Sequence, residues 1–532
     1  MSRSSIWLQR IPNGFKGLAR YFFQHNVCLF EVDEVHRNSF KKREANLQTL
    51  PMETLVMILE ELDLEDVLRV RRCSLTLATA TRARPIWVKL VKGYATACLP
   101  RPFHLPKLLH ACSSEEIEQA LKNWMSSIDE FSAQPVHECQ IAMDGQGKTL
   151  ESLGPLPDGR FFLCNVWGGS IWYHDSQAKG IPLQLLIDTP FPTREEGERL
   201  AVTVCYDTLS PLSSTDRFGP HAFNALIAWQ RCGPSWRDPD FLQRCECILE
   251  VWRLEPRFSD QGLLEAYSSR RLASFKEHPD IAALDSTSLC GDHIAYVPDD
   301  GACVIVDWTT LPTNDSGKVA TLRYKRNYVE CYGNPSILLP GKRVAIFFRK
   351  KKRVDIYDWG RDSVCRNEPP VDIRSLALPV VAPIWSHVYC EGIISPHLGN
   401  ATLFLVGDSL RLVIPTSKAI FGMIIPATYD PANHPVRWIT LFGGEVDLRY
   451  PLKYFGYHRG VRAGWTSCML FEYPWPDEHG GGVATSTELI GDGFGDAQSI
   501  IFDEYSNRIV SFDNDDLVYR VYTTTNPNSK LR

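Results

Sequence analysis

No stretch of this 532-residue chain approaches the ~18–20 uninterrupted apolar residues that a membrane helix requires. No C-x-x-C spacing occurs among its 16 cysteines, so the usual zinc and redox frameworks lack their signature. Nor is there a G-x-S-x-G nucleophile elbow. Positive charge is not in excess: 57 basic against 63 acidic side chains leave a net charge of −6. A dedicated nucleic-acid binder would need a basic field for phosphates, so that class is set aside. With 35 Gly, 35 Pro and no long heptad run, collagen-like and coiled-coil classes also go. What remains is ordinary globular material, 44% hydrophobic and 23% charged, enough to offset ordering entropy. The length allows two to four domains.

The scattered cysteines read as free thiols packed like small hydrophobes in a reducing compartment, cytoplasm or nucleus. Cys245 and Cys247 would share one face of a strand, but a zinc site needs two further ligands and none lies nearby. Neither metal nor cofactor is expected. The N-terminus carries Arg3, Arg10, Lys16 and Arg20 with no acid before Glu31, faintly like a mitochondrial presequence. Pro12, Asn13 and Gly14 interrupt any helix there, so residues 1–46 are expected to form a mobile arm.

From Leu47 the pattern turns helical. Leu55, Ile58, Leu59 and Leu62 fall at i, i+3, i+4 and i+7, the period of one helix face. Asp63 is placed to cap a second helix, with Glu65 and Asp66 at its positive end. Val67, Val70, Ser74 and Leu77 continue the apolar stripe, and Ile86, Trp87 and Leu90 suggest a third helix. A unit of about 45 residues buries little surface by itself. After Pro100, Pro102 and Pro106 comes a further helix. Ser113 and Glu116 form its candidate capping box, and Ile117, Leu121, Trp124 and Ile128 line one face.

The run Leu50, Pro51, Glu53, Leu55, Ile58, Leu59, Leu62, Asp66, Cys73 and Trp87 resembles the F-box. It departs from that pattern at Val67, where Leu is usual, and in the Ala/Thr-rich stretch from Leu77 to Ala83. The resemblance implies a Skp-type adaptor as partner and, through it, a cullin–RING ubiquitin ligase. Leu50, Pro51, Glu53, Leu55, Ile58, Leu59, Leu62, Val67 and Trp87 are the adaptor-binding residues it implies. Each apolar anchor covered by a partner would contribute about 1.5–3 kcal/mol before association costs. A plain three-helix packing unit is the alternative, because the same stripe serves equally as a core.

Beyond residue 135 the helical period fades into short paired strands. Hairpin signals sit at Gly168-Gly169, at Asp299-Asp300-Gly301, inside RVAIFFRKKKRVDIYDW and inside RIVSFDNDDLVYRVY. Two runs end in Asp307-Trp308 and Asp358-Trp359, about 50 residues apart, a plausible blade period. CILEVWRL, ATLFLVGDSLRLVI and RWITLFG are read as further outer strands. About 390 residues at 50–60 per unit make six to eight blades. This body resembles a β-propeller of degenerate WD-like repeats, and Leu153 to Asp175 resembles the first blade of fungal F-box proteins with such a body. Two packed sandwiches are the alternative, since alternation does not fix how strands associate.

Four motifs imitate chemistry without its context. Ala142–Thr149 has phosphate-loop spacing, but Gly154-Pro155 follows too soon for the required helix. His479–Gly482 mimics an oxyanion loop without its nucleophile. The glycines 491, 493 and 495 precede a strand, not a helix. Asp513, Asp515 and Asp516 lack the glycine and distal glutamate of a calcium loop. Arg349–Arg353, RKKKR, is a nuclear address, an anion contact or a solvated hairpin tip.

The expectation is therefore a multidomain α plus all-β chain. An arm (1–46), an F-box (47–93), a helical connector (94–134), a β-propeller (135–525, about 6–8 blades) and a tail (526–532) follow one another. Its expected role is the substrate-receptor subunit of a cullin–RING ubiquitin ligase, with the F-box on the adaptor and the propeller on an unidentified client protein. It is expected to be no enzyme and to bind neither nucleic acid nor membrane. A propeller scaffold outside any ligase is the alternative, and a channel enzyme with convergent carboxylates the second.

Overall fold

The computed structural model describes residues 50–99, 105, 107–125, 137–140 and, with gaps at the longer loops, 150–523. The proposed arm, the phosphate-loop and oxyanion mimics, the glycine run and the C-terminal tail lie outside the described residues. The chain divides into two compact units. The described residues up to Gly93 with Ser113–Ile117 form one; Tyr94–Cys112 and the described residues from Glu118 onward form the other.

The first unit is helical: α1 Met52–Leu59, α2 Leu64–Arg71, α3 Leu75–Ala80 and α4 Arg84–Ala97, the last running on beyond the unit. Asp63 caps α2 as its position implies, its Oδ1 accepting the Asp66 amide at 2.8 Å. The stripe expected to run through Ser74 is broken there. Ser74 Oγ instead accepts the Leu77 amide at 3.2 Å, so this serine starts α3 rather than continuing α2. The serine competes for backbone groups and makes four helices where periodicity suggested three. A further helix, α5 Ser114–Met125, carries the expected capping box: the Ser113 amide donates to Glu116 and the Glu116 amide to Ser113 Oγ.

The second unit holds seven antiparallel sheets, each built around four strands. In chain order they span 150–187, 199–276, 284–329, 336–388, 403–442, 453–490 and 499–523, and are called blades 1 to 7. The fourth strand of blade 7 is His137–Gln140, paired antiparallel with Val518–Thr523. A strand from before blade 1 thus completes the last sheet. First strands adjoin from blade 6 through blades 7, 1, 2 and 3 to blade 4, and shared apolar clusters join blade 4 to 5 and blade 5 to 6. The sheets close on themselves, so this is a seven-bladed β-propeller and not a pair of sandwiches.

Two blades recruit an extra strand. Val364–Arg366 leaves blade 4 to pair with the outer strand of blade 3, after which the chain returns as Trp385–Val388, the fourth strand of blade 4. Cys98–Leu99 pairs with Leu403–Val406, the first strand of blade 5, on the edge opposite its hairpin partner. Of the three runs read as outer strands, only Arg437–Phe442 is outermost. CILEVWRL lies in the third strand of blade 2, and ATLFLVGDSLRLVI supplies the first two strands of blade 5.

The 50-residue interval has a physical basis. Backbone amides of Ser336 and Leu338 in blade 4 donate to Oγ of Ser286 and Ser288 in blade 3, at 3.1 and 3.0 Å. At the far end of each third strand the aspartate of the Asp-Trp pair caps a short helical turn. Asp307 accepts from Thr309, and Asp358 accepts from Arg361 at the start of α6 (Trp359–Asp362). Apolar side chains fill the seams, as where Leu226, Leu249 and Phe275 pack with Ile294, Val304 and Tyr328.

Candidate functional site

Three turns that follow first strands converge on one end of blades 3, 4 and 5. Gly291, Gly341 and Gly407 hold them, at φ of 56°, 78° and 59°, a region that side chains rarely enter. Lys342 shares this strained conformation at φ 59°. Between the turns lies a cavity of about 460 Å³. Leu209, Leu338, Leu339, Leu405, Leu410 and Ala427 supply its apolar lining. Cys290, Asp292, His293, Lys342 and Trp359 complete it.

Buried charges brace the walls. Arg343 donates to the carbonyls of Pro340, Pro426 and Ala427 at 2.9, 2.8 and 2.7 Å, binding the blade 4 turn to blade 5. Asp207, at the end of the first strand of blade 2, accepts from the amides of Gly291 (2.8 Å) and Leu209 (3.1 Å). Such charge-assisted bonds fix the lining before anything binds.

The His293 ring lies 4.8 Å from that of Trp359, and Lys342 Nζ stands 6.0 Å from the Trp359 centroid. Burial lowers the pKa of His293, with Lys342 adding to the fall and Asp307 and Asp292 opposing it. The imidazole is accordingly a neutral hydrogen-bonding group near pH 7. Burial also pushes the Cys290 thiol up to about 12, which keeps it from acting as a thiolate nucleophile. The site can grip a side chain; it holds no activated base or nucleophile among the described residues. No group of three or more His, Cys, Asp or Glu among the described residues could hold a metal ion.

The residues singled out by the F-box resemblance are all in the helical unit. Leu55, Leu59, Val67 and Trp87 are 1%, 2%, 0% and 0% exposed, and Leu62 is buried with them. Trp87 Nε1 donates to the Thr81 carbonyl at 2.8 Å, and the Arg71 guanidinium lies 5.4 Å over its ring. Leu50 and Ile58 are half-buried, and Pro51 and Glu53 are exposed. None of these residues contributes to the propeller cavity. Sequence reading missed that cavity because its lining comes from four blades; only the glycine of each turn was a local signal.

No family model matches the chain, and no curated protein matches it. Among solved structures it is similar to one titled the β-propeller domain of Cps50 (Swd1) from Myceliophteria thermophila. The two are 12% identical, the match covers 73% of this chain and all of that one, and the TM-score is 0.41. At that identity the likeness concerns the fold alone, which the seven sheets establish independently. The expected partners, a Skp-type adaptor and a cullin–RING ligase, are corrected here. No F-box model finds the chain, and the similar structure carries a propeller title that names neither F-box nor ligase. The description as an F-box member of a ubiquitin-ligase complex is dropped with them.

Proposed function

We propose that the chain is a non-enzymatic β-propeller scaffold that holds partner proteins, with the braced cavity of blades 2 to 5 as one point of attachment. The observation that carries this reading is the cavity itself: apolar lining, a few polar groups at its edge and walls tied by Arg343 and Asp207. This is the composition of a recognition pocket, in which one or two inserted side chains are desolvated while the edge groups orient them. Its histidine is held neutral and its cysteine protonated, which suits holding rather than reacting.

The test is Ala427→Trp, which fills the cavity from a half-buried position. Partners captured by the full chain and identified by mass spectrometry should be lost or weakened by at least ~10-fold, the effect of removing a desolvated anchor. The melting temperature should stay close to that of the parent. An unchanged partner set on a folded variant refutes the assignment of the cavity.

A further inference from the structure

The strand Arg343–Phe348 starts beside the cavity and ends about 17 Å away, at the opposite end of blade 4. There the turn Arg349–Arg353 carries five consecutive cations. Lys350, Lys351 and Lys352 are exposed, and among the described residues no carboxylate pairs with any of them. Arg353 is committed to Asp355 at 2.6 Å, and the backbone amide of Arg349 donates to Asn334 Oδ1 at 3.0 Å. Lys351 and Arg353 also stand over the Phe348 ring, at 5.3 and 5.2 Å. Lys352 turns the chain at φ 47°.

Exposed apolar groups flank these lysines on both sides. On one side Tyr332, 61% exposed, is held at φ 51° in a turn that Asn334 closes by donating to the carbonyls of Cys331 and Tyr332. The Asn334–Arg349 bond joins this turn to the basic one. On the other side Val388, also 61% exposed, pairs in register with Arg353, and the Tyr389 amide donates to the Lys352 carbonyl at 3.0 Å. Isolated exposed hydrophobics are common. Two of them bracketing three ammonium groups that have no carboxylate partner among the described residues, on a hydrogen-bonded platform, are a composite surface.

We propose that Tyr332, Lys350, Lys351, Lys352 and Val388 form a docking surface for an acidic linear segment of a partner protein, with apolar side chains flanking its carboxylates. Charge complementarity selects the acidic residues, and the two apolar contacts select what lies beside them. A nucleic acid fits less well. The cations are confined to one turn, Glu330 and Asp355 sit beside it, and the chain carries −6 overall, whereas a polyanion needs a longer basic track.

The experiment is fluorescence anisotropy with the full chain and three labelled probes. These are a Glu-rich peptide with a Leu at each end, the same peptide with every Glu replaced by Gln, and an oligouridylate of equal length. The acidic peptide should bind and be displaced by rising salt. Lys350→Glu with Lys351→Glu and Lys352→Glu should weaken it by at least ~10-fold. Tyr332→Ser with Val388→Ser should weaken it several-fold without changing the salt dependence. Ala427→Trp, which tests the cavity, should leave this binding unchanged, so the two readings fail separately. Equal binding of the Gln peptide, tighter binding of the oligouridylate, or indifference to charge reversal would each overturn the proposal.

Discussion

Two buried carboxylates stand at different seams of the propeller and are kept there by different means. Glu277, where blade 2 meets blade 3, receives Arg326 Nε at 3.1 Å and the hydroxyls of Tyr296 and Tyr324. Burial opposes the charge on Arg326, but Glu277 together with Tyr296 and Tyr324 outweighs it and raises its pKa. Glu504, after the first strand of blade 7, accepts from the backbone amides of Tyr457 and His458, each at 2.6 Å. Burial pushes its carboxyl up to about 7, despite the downward pull of those amides and of the Arg459 charge. A full counter-charge with two hydroxyls locks one seam, while backbone donors leave the other poised to titrate.

The hardest way to break this contrast is Glu277→Ala. It strands Arg326 in a buried site, and should cost about 3–5 kcal/mol in denaturant unfolding. On the other seam, Gly456→Ala would place its Cβ 2.0 Å from Glu504 Oε2. A shift of about 1–3 kcal/mol in the same measurement is expected, as for an overpacked core.

Proton linkage separates the seams more finely. Glu504 in the folded chain binds its proton more tightly than an ordinary carboxyl at 4.5. Its contribution is therefore greatest below about 4.5 and declines as pH rises through 7. His458 works the other way. Burial and the charges of Arg459 and Arg411 lower it from 6.5 to about 4, so its contribution grows from pH 4 to 6.5 and is complete above that. The two slopes oppose each other between pH 4.5 and 6.5. His458→Gln removes one of them, and stability measured against pH should then fall across that window relative to the parent. Parallel curves for the two proteins would contradict the assignment. The mildest probe is Tyr324→Phe, which takes one hydroxyl from Glu277 and should cost about 1 kcal/mol in thermal or denaturant unfolding.

Much of the local structure was legible before the tertiary structure. Asp63 and the Ser113/Glu116 box act as caps because a side-chain oxygen and an amide three residues away meet whatever else the chain does. The Asp-Trp pairs mark the ends of third strands in blades 3 and 4 for the same reason. The apolar stripe of α1 was visible too, but its burial was not. Periodicity identifies a face and does not say what covers it. Leu55, Leu59 and Trp87 proved buried within the chain, and the adaptor reading leaned on that undecided point.

Sequence by itself thus determined the apolar face of α1, the caps at Asp63 and Ser113, and the hairpins with their glycine and aspartate turns, since each depends on neighbours a few residues apart. Only the tertiary structure decided that there are seven blades, that His137–Gln140 closes the last of them, and that Glu277 and Glu504 find such different company. It also brought Tyr332 and Val388 to either side of the lysine turn. Those outcomes join residues tens to hundreds of positions apart, and no short-range pattern encodes which distant partner a buried charge or an open strand edge will meet.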